Sequence, residues 1–156
     1  MTGQDLATSL MGTWHLKRWT ISYSDGRAPT FPFGEDATGL IQYTHDGGMS
    51  ACIARAGRPR LSGESTRSVP EAERLAAFES YFQYAGTFQT RETPSGPVVV
   101  HTVTHALNPN FKGTQQVRHM RFPVEGQLEL SADDPLPGSP GVMRHHSLLW
   151  QRGGGA

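Results

Sequence analysis

The stretch from Val98 to Gly113, V-V-V-H-T-V-T-H-A-L-N-P-N-F-K-G, is the one whose reading sets the architecture. Its first ten residues are dominated by β-branched types and run into a turn signal at Asn108-Pro109-Asn110. This is the pattern of one long strand. Successive strand side chains point to opposite faces. Val99, His101, Val103, His105 and Leu107 therefore share one face; Val98, Val100, Thr102, Thr104 and Ala106 share the other. Two imidazoles among apolar side chains fit either a wetted outer surface or the lining of a cavity.

Working outward, seven more segments read as strands: Thr13–Tyr23, Thr38–Thr44, Met49–Arg55, Tyr84–Arg91, Thr114–Pro123, Gln127–Ser131 and Val142–Arg152. His45-Asp46-Gly47-Gly48 is a hairpin signal, because Asp-Gly and Gly-Gly tolerate positive φ. In Thr13–Tyr23, apolarity does not choose between the face with Trp14, Leu16 and Arg18 and the face with His15, Lys17, Trp19 and Ile21. In Thr114–Pro123, the set Gln116, Arg118, Met120 and Phe122 ends apolar and is placed inward. In the last strand, His146, Leu148, Trp150 and Arg152 share a face.

One helix is predicted between Met49–Arg55 and Tyr84–Arg91. Ser68 and Glu71 have capping-box spacing, Pro70 fits a first turn, and Leu75, Phe78 and Phe82 recur at helical spacing. It is expected to pack on the sheet opening as a lid or plug. Asp5 to Met11 has room for one short helical turn. Helices do not alternate with strands, which argues against a doubly wound α/β fold. The expectation is an all-β, eight-stranded antiparallel up-and-down barrel. Closure removes exposed edges and leaves room inside for one small ligand. A two-sheet sandwich would call for more long crossing connections.

The 156 residues fit a single domain over 1–156, with residues 153–156 as a loose tail. Lys plus Arg and Asp plus Glu both number 14. That balance favours neither nucleic acid nor an anionic membrane as a partner. The lone Cys52 cannot form an internal disulfide. With no basic-then-apolar leader and no run long enough to span a bilayer, a cytoplasmic setting is expected.

Chemistry is narrowed by geometry. His101 and His105 stand ~13 Å apart at about 3.3 Å per strand residue, too far to share one zinc without help from other strands. His145 and His146 face opposite ways. Haem iron fares no better. Cys52 has no basic neighbour in sequence and reads as a small packing residue. There is no G-x-S-x-G elbow and no Gly-rich phosphate loop. No cofactor is expected. What remains is acid–base work in an apolar cavity, with His101, His105 and Arg118 as the catalytic candidates. Tyr43 and Tyr84 are hydrogen-bond donors for a developing oxyanion, and Gln116 is a further polar contact. Phe88, Met120 and Trp150 are the apolar wall.

The chain resembles the bacterial and fungal lipocalin-like domain family. The resemblance rests on G-T-W at Gly12 to Trp14, F-P-F-G-E-D-A-T-G at Phe31 to Gly39 and Y-T-H-D-G-G-M-S at Tyr43 to Ser50. It continues through Y-A-G-T-F at Tyr84 to Phe88, the pattern from His101 through Asn108-Pro109 to Gly113, Q-V-R at Gln116 to Arg118 and L-W-Q-R at Leu149 to Arg152. By resemblance to the secreted lipocalins, Trp14 seals the barrel floor and Arg152 covers it. Those proteins carry their helix after the last strand, so the likeness to them is architectural and their carrier role does not transfer. Some lipocalin-like barrels of biosynthetic pathways are cofactor-free cyclases or isomerases.

Two functions follow as expectations. The first is a cofactor-independent enzyme performing isomerisation, dehydration or cyclisation on a small, largely apolar molecule with a polar end. There His101 is base or acid, and Arg118 and a tyrosine stabilise negative charge. The second is a non-catalytic carrier of a hydrophobic metabolite. A third possibility is a filled interior whose outer face mediates assembly; a homodimer stays open.

Overall fold

The computed structural model describes residues 2–153 and contains the eight strands in simple order. They are β1 Gly12–Tyr23, β2 Thr38–Tyr43, β3 Gly48–Ala54, β4 Tyr81–Thr93, β5 Gly96–Ala106, β6 Gln115–Arg121, β7 Gln127–Pro135 and β8 Met143–Arg152. Each pairs antiparallel with the next, and β8 pairs back with β1, so the sheet closes as an up-and-down barrel. β7 runs further than its composition suggested, because Asp133, Asp134 and Pro135 stay in register with β8. Of the expected tail over 153–156, residues 154–156 lie outside the described residues, while the Gly153 N–H donates to Thr13 O at 2.8 Å.

Two bulges set which side chains face inward. In β1 the pairing with β8 skips Lys17. The extra residue flips the alternation, so Trp14 and Leu16 point in before it and Trp19 and Ile21 after it. Neither face of this strand is wholly inner, which is why apolarity could not choose. In β5 the pairing with β4 skips Thr104. Val99, His101 and Val103 face inward as read, but beyond the bulge His105 is exposed and Ala106 packs on the core. The expectation that His105 shares the inner face is thus corrected. Gly86 lies opposite the bulge, and a Cβ there would sit 1.9 Å from Thr102 O, so only glycine fits.

The two helices differ in burial. α1, Gly3–Leu10, is two turns long, with a capping box between Thr2 and Asp5. Leu6 and Leu10 are buried, and Leu10 joins the core beneath the barrel. Gly12, at φ +106°, turns the chain from α1 into β1. Trp14 Nε1 donates to Leu10 O at 2.8 Å. The Arg152 guanidinium lies 4.1 Å from the Trp14 ring centroid and donates to Met11 O and Ser9 O at 2.7 and 2.6 Å. It thereby satisfies carbonyls at the end of α1 while stacking on an indole face, a contact of ~0.5–2 kcal/mol. Trp14 and Arg152 occupy the floor, as the resemblance implied.

α2, Glu71–Glu79, corrects the other helix expectation. Its N-cap is Pro70 with no side-chain cap, and the Ser68 hydroxyl bonds Ser65 O, so the capping box does not form. No residue of α2 is buried; Leu75 and Phe78 are 54% and 50% exposed, and Phe82 belongs to β4. α2 therefore rides on the surface and plugs nothing. Cys52 is half-buried on the outward alternation of β3, between the inward Ala51 and Ile53.

Candidate functional site

The half of the barrel away from α1 is hollow. A cavity of about 320 Å³ opens there. Its walls are mostly apolar: Ile41, Ala51, Ile53, Leu130 and Leu148 with the rings of Trp19, Phe82, Phe111 and Trp150. Small residues at Ala51 and Ala132 leave the space that larger side chains would fill. Polar groups enter from three sides: Tyr84 and His101, Gln116 and Arg118, and a cluster of Asp134, Arg144 and His146.

His101 is held at the centre of a buried chain of hydrogen bonds. Its side chain is 1% exposed. Tyr43 Oη lies 2.8 Å from Nε2 and Tyr84 Oη 2.6 Å from Nδ1. A neutral imidazole has one N–H and one lone pair, so one tyrosine donates to the ring and the other accepts from it. The accepting tyrosine keeps its own proton free. Tyr84 lines the cavity whereas Tyr43 stands behind the imidazole, packed edge-on against Phe88 at 4.8 Å. When Nδ1 carries the hydrogen, the Tyr84 hydroxyl presents its proton to the cavity.

Burial, and secondarily the Arg118 guanidinium, lower the His101 pKa to about 3. Burial raises the pKa of both tyrosines; Arg118 acts in the opposite sense on each. At neutral pH the three groups are uncharged. An imidazole with this pKa and both nitrogens engaged is a weak base, so the arrangement suits His101 to orient Tyr84.

Arg118 reaches the wall from β6, whose register sets Val99 opposite Arg118 and His101 opposite Gln116. Its guanidinium donates to Val117 O at 3.0 Å and to Gln116 Oε1 at 3.2 Å. Among the described residues it has no carboxylate partner. Gln116 is engaged at both ends, since its Nε2 also donates to Thr114 Oγ1 at 2.9 Å.

Across the wall, His146 sits between Asp134 and Trp19. Its Nε2 is 3.1 Å from Asp134 Oδ1, and the Trp19 indole N–H donates to its Nδ1 at 3.4 Å. The Arg144 guanidinium grips the same carboxylate, with Nε donating to Oδ1 at 2.8 Å. That grip holds Asp134 below the usual carboxylate range. Burial lowers the His146 pKa, with Asp134 opposing and Arg144 and Arg118 reinforcing.

Of the residues picked from sequence, His101, Tyr84, Gln116, Arg118 and Trp150 meet in the cavity wall. Tyr43 supports His101 from behind. Phe88 and Met120 are buried in the packed core outside the wall, and His105 lies on the outer surface, 2.9 Å from Thr104 Oγ1. Sequence reasoning missed Trp19, Phe82, Phe111, Asp134, Arg144 and His146. His146 was within reach, since it shares strand parity with the inward Trp150. Trp19 was hidden by the Lys17 bulge, and Asp134 by expecting its strand to end at Ser131.

No helix among the described residues is long and apolar enough to cross a membrane. No curated protein matches the chain with significance. The family model described as lipocalin-like domain matches residues 11–153, from the end of α1 to the end of β8. A closed barrel with a mostly apolar cavity is what that family's small-molecule binding calls for, and the chain belongs to the lipocalin-like domain family.

Proposed function

We propose that the barrel binds a small, largely apolar molecule by an oxygen-bearing end and moves a proton on it without a cofactor, in an isomerisation, dehydration or cyclisation. The observation that carries this reading is the buried Tyr43–His101–Tyr84 chain, which ends at the cavity beside a guanidinium that has no carboxylate partner among the described residues. A carbonyl oxygen placed there accepts from Tyr84 and faces Arg118. As a base takes the α-proton, the C–H electron pair becomes the C=C bond of an enolate. The carbonyl π pair moves to oxygen, where preorganised donors stabilise it. His101 acts as a positioning residue that holds the Tyr84 hydroxyl.

His146 is the wall imidazole with a carboxylate partner, and it is neutral at pH 7 because its pKa is lowered. It takes the proton at Nδ1, and Asp134 then stabilises the imidazolium. This step requires the Trp19 N–H to release its 3.4 Å contact. That requirement favours the second reading, a carrier: with both His146 nitrogens engaged, the polar groups fix a ligand's orientation only.

The test uses 2-tetralone, a bicyclic ketone with acidic α-hydrogens. Incubated with the protein in D₂O, it is expected to exchange α-hydrogen for deuterium faster than in buffer, as read by proton NMR. Tyr84→Phe should slow exchange by about 10²-fold, the scale of losing one oxyanion donor. His146→Gln should reduce it to the buffer rate. Tetralone that binds without any accelerated exchange selects the carrier reading, and tetralone that does not bind defeats both.

A further inference from the structure

The three tryptophans hold their indole N–H groups in three different states. Trp14 donates to Leu10 O at 2.8 Å, and Trp19 donates to His146 Nδ1 at 3.4 Å. Trp150 Nε1 is buried with no partner among the described residues, in a side chain that is 1% exposed and belongs to the cavity wall. Buried N–H groups are nearly always satisfied, and an orphan costs free energy that an apolar ring would not. Thr20 Oγ1 is also buried without a partner, but Thr20 lies outside the cavity wall, and a hydroxyl can rotate. An indole N–H is a donor only and cannot turn away.

The remaining polar capacity of the wall points the same way. Gln116 is occupied at both ends, and Asp134 is taken by Arg144 and His146. Arg118 uses Nη1 and Nη2 on Val117 O and Gln116 Oε1 and keeps further N–H groups, since a guanidinium has five donors. Asp133, at the same wall, has its Oδ1 on His145. Among the wall's nitrogen donors, Arg118 and Trp150 Nε1 keep uncommitted N–H groups. From this we infer that Trp150 Nε1 is a recognition donor. The ligand class is a planar, ring-bearing molecule with two separate acceptor oxygens: an anionic or enolisable one for Arg118 and Tyr84, and an uncharged carbonyl or ether oxygen for Trp150. The inference rests on the reading that the cavity is the ligand site.

The test compares 6-acetyl-2-naphthoate with its isosteric 6-isopropenyl analogue by titration calorimetry. Both carry the carboxylate and the same ring, and only the first has a second acceptor. The acetyl compound is expected to bind about five- to tenfold more tightly, as one hydrogen bond allows. In Trp150→Phe that difference should vanish. Should this variant not fold, the unaltered protein still answers. In a proton–nitrogen correlation spectrum the Trp150 indole signal should move downfield with the acetyl compound and not with its analogue. Equal affinities with an unmoved indole signal overturn the inference and leave the cavity as the binding site. Failure of both compounds to bind overturns the cavity reading and this inference with it.

Discussion

The two halves of the barrel are built from the same strands and end up chemically opposite. In the floor half, α1 inserts Leu10, Trp14 fills the centre, and Arg152 satisfies both an indole face and two carbonyls. There the Trp14 indole N–H has its partner. In the hollow half, alanines stand where bulk would close the space, and among the described residues one indole N–H is unpartnered and the Arg118 guanidinium has no carboxylate. The lesson is one of division of labour. The floor supplies cooperative packing, which lets the other half keep polar groups that a filled core would have to pair off.

That contrast can be broken first at the floor. Trp14→Ala should cost ~3–5 kcal/mol in urea unfolding, because it opens a cavity and strands Arg152. Leu148→Ala, on a half-buried side chain of the hollow half, should cost under about 2 kcal/mol. Similar losses at the two sites would mean that the halves do not differ in packing.

The next effect is electrostatic. His101 has a native pKa of about 3 against an ordinary value near 6.5. Between those values the unfolded chain binds a proton that the native chain does not, so stability falls as pH drops from about 6.5 towards 3. The slope is up to ~1.4 kcal/mol per pH unit. His101→Gln should flatten it, measured as the difference between the two proteins' unfolding free energies at pH 7 and pH 4.5. Asp134 loses stability in the same direction as pH falls, and it does so in both proteins, so it cancels from the comparison. An unchanged slope in the variant would mean that His101 is not the buried neutral group described here.

The smallest stability effect is expected from filling the hollow half. Ala132→Leu should change stability by no more than about 1 kcal/mol, because the added methyl groups enter existing space. It should nevertheless abolish 2-tetralone binding. A large destabilisation with binding intact would place the ligand elsewhere.

Much of this was legible in the chain. Alternation and turn chemistry carry eight sequential strands, most of them joined by short turns, and the resemblance resting on G-T-W and Arg152 carries the floor. The inner set His101, Gln116 and Arg118 followed from parity on one hairpin. What was not legible turns on single inserted residues. Lys17 and Thr104 look like ordinary strand residues, and each flips every side chain beyond it. Signals for both exist in retrospect. Apolar residues switch faces between Leu16 and Trp19, and Gly86 sits inside a strand pattern, a mark of close backbone approach. α2 misled for another reason: its apolar spacing is helical, but none of its residues is buried against the barrel.

The most direct test of a packed floor beneath a binding half is one titration of the nitrogen-15-labelled protein with 2-tetralone, following its three indole N–H signals. Trp19 and Trp150 line the cavity and should shift, while Trp14, bonded to Leu10 in the floor, should stay in place. Movement of Trp14 alone, or of none of the three at saturating ligand, would contradict the account.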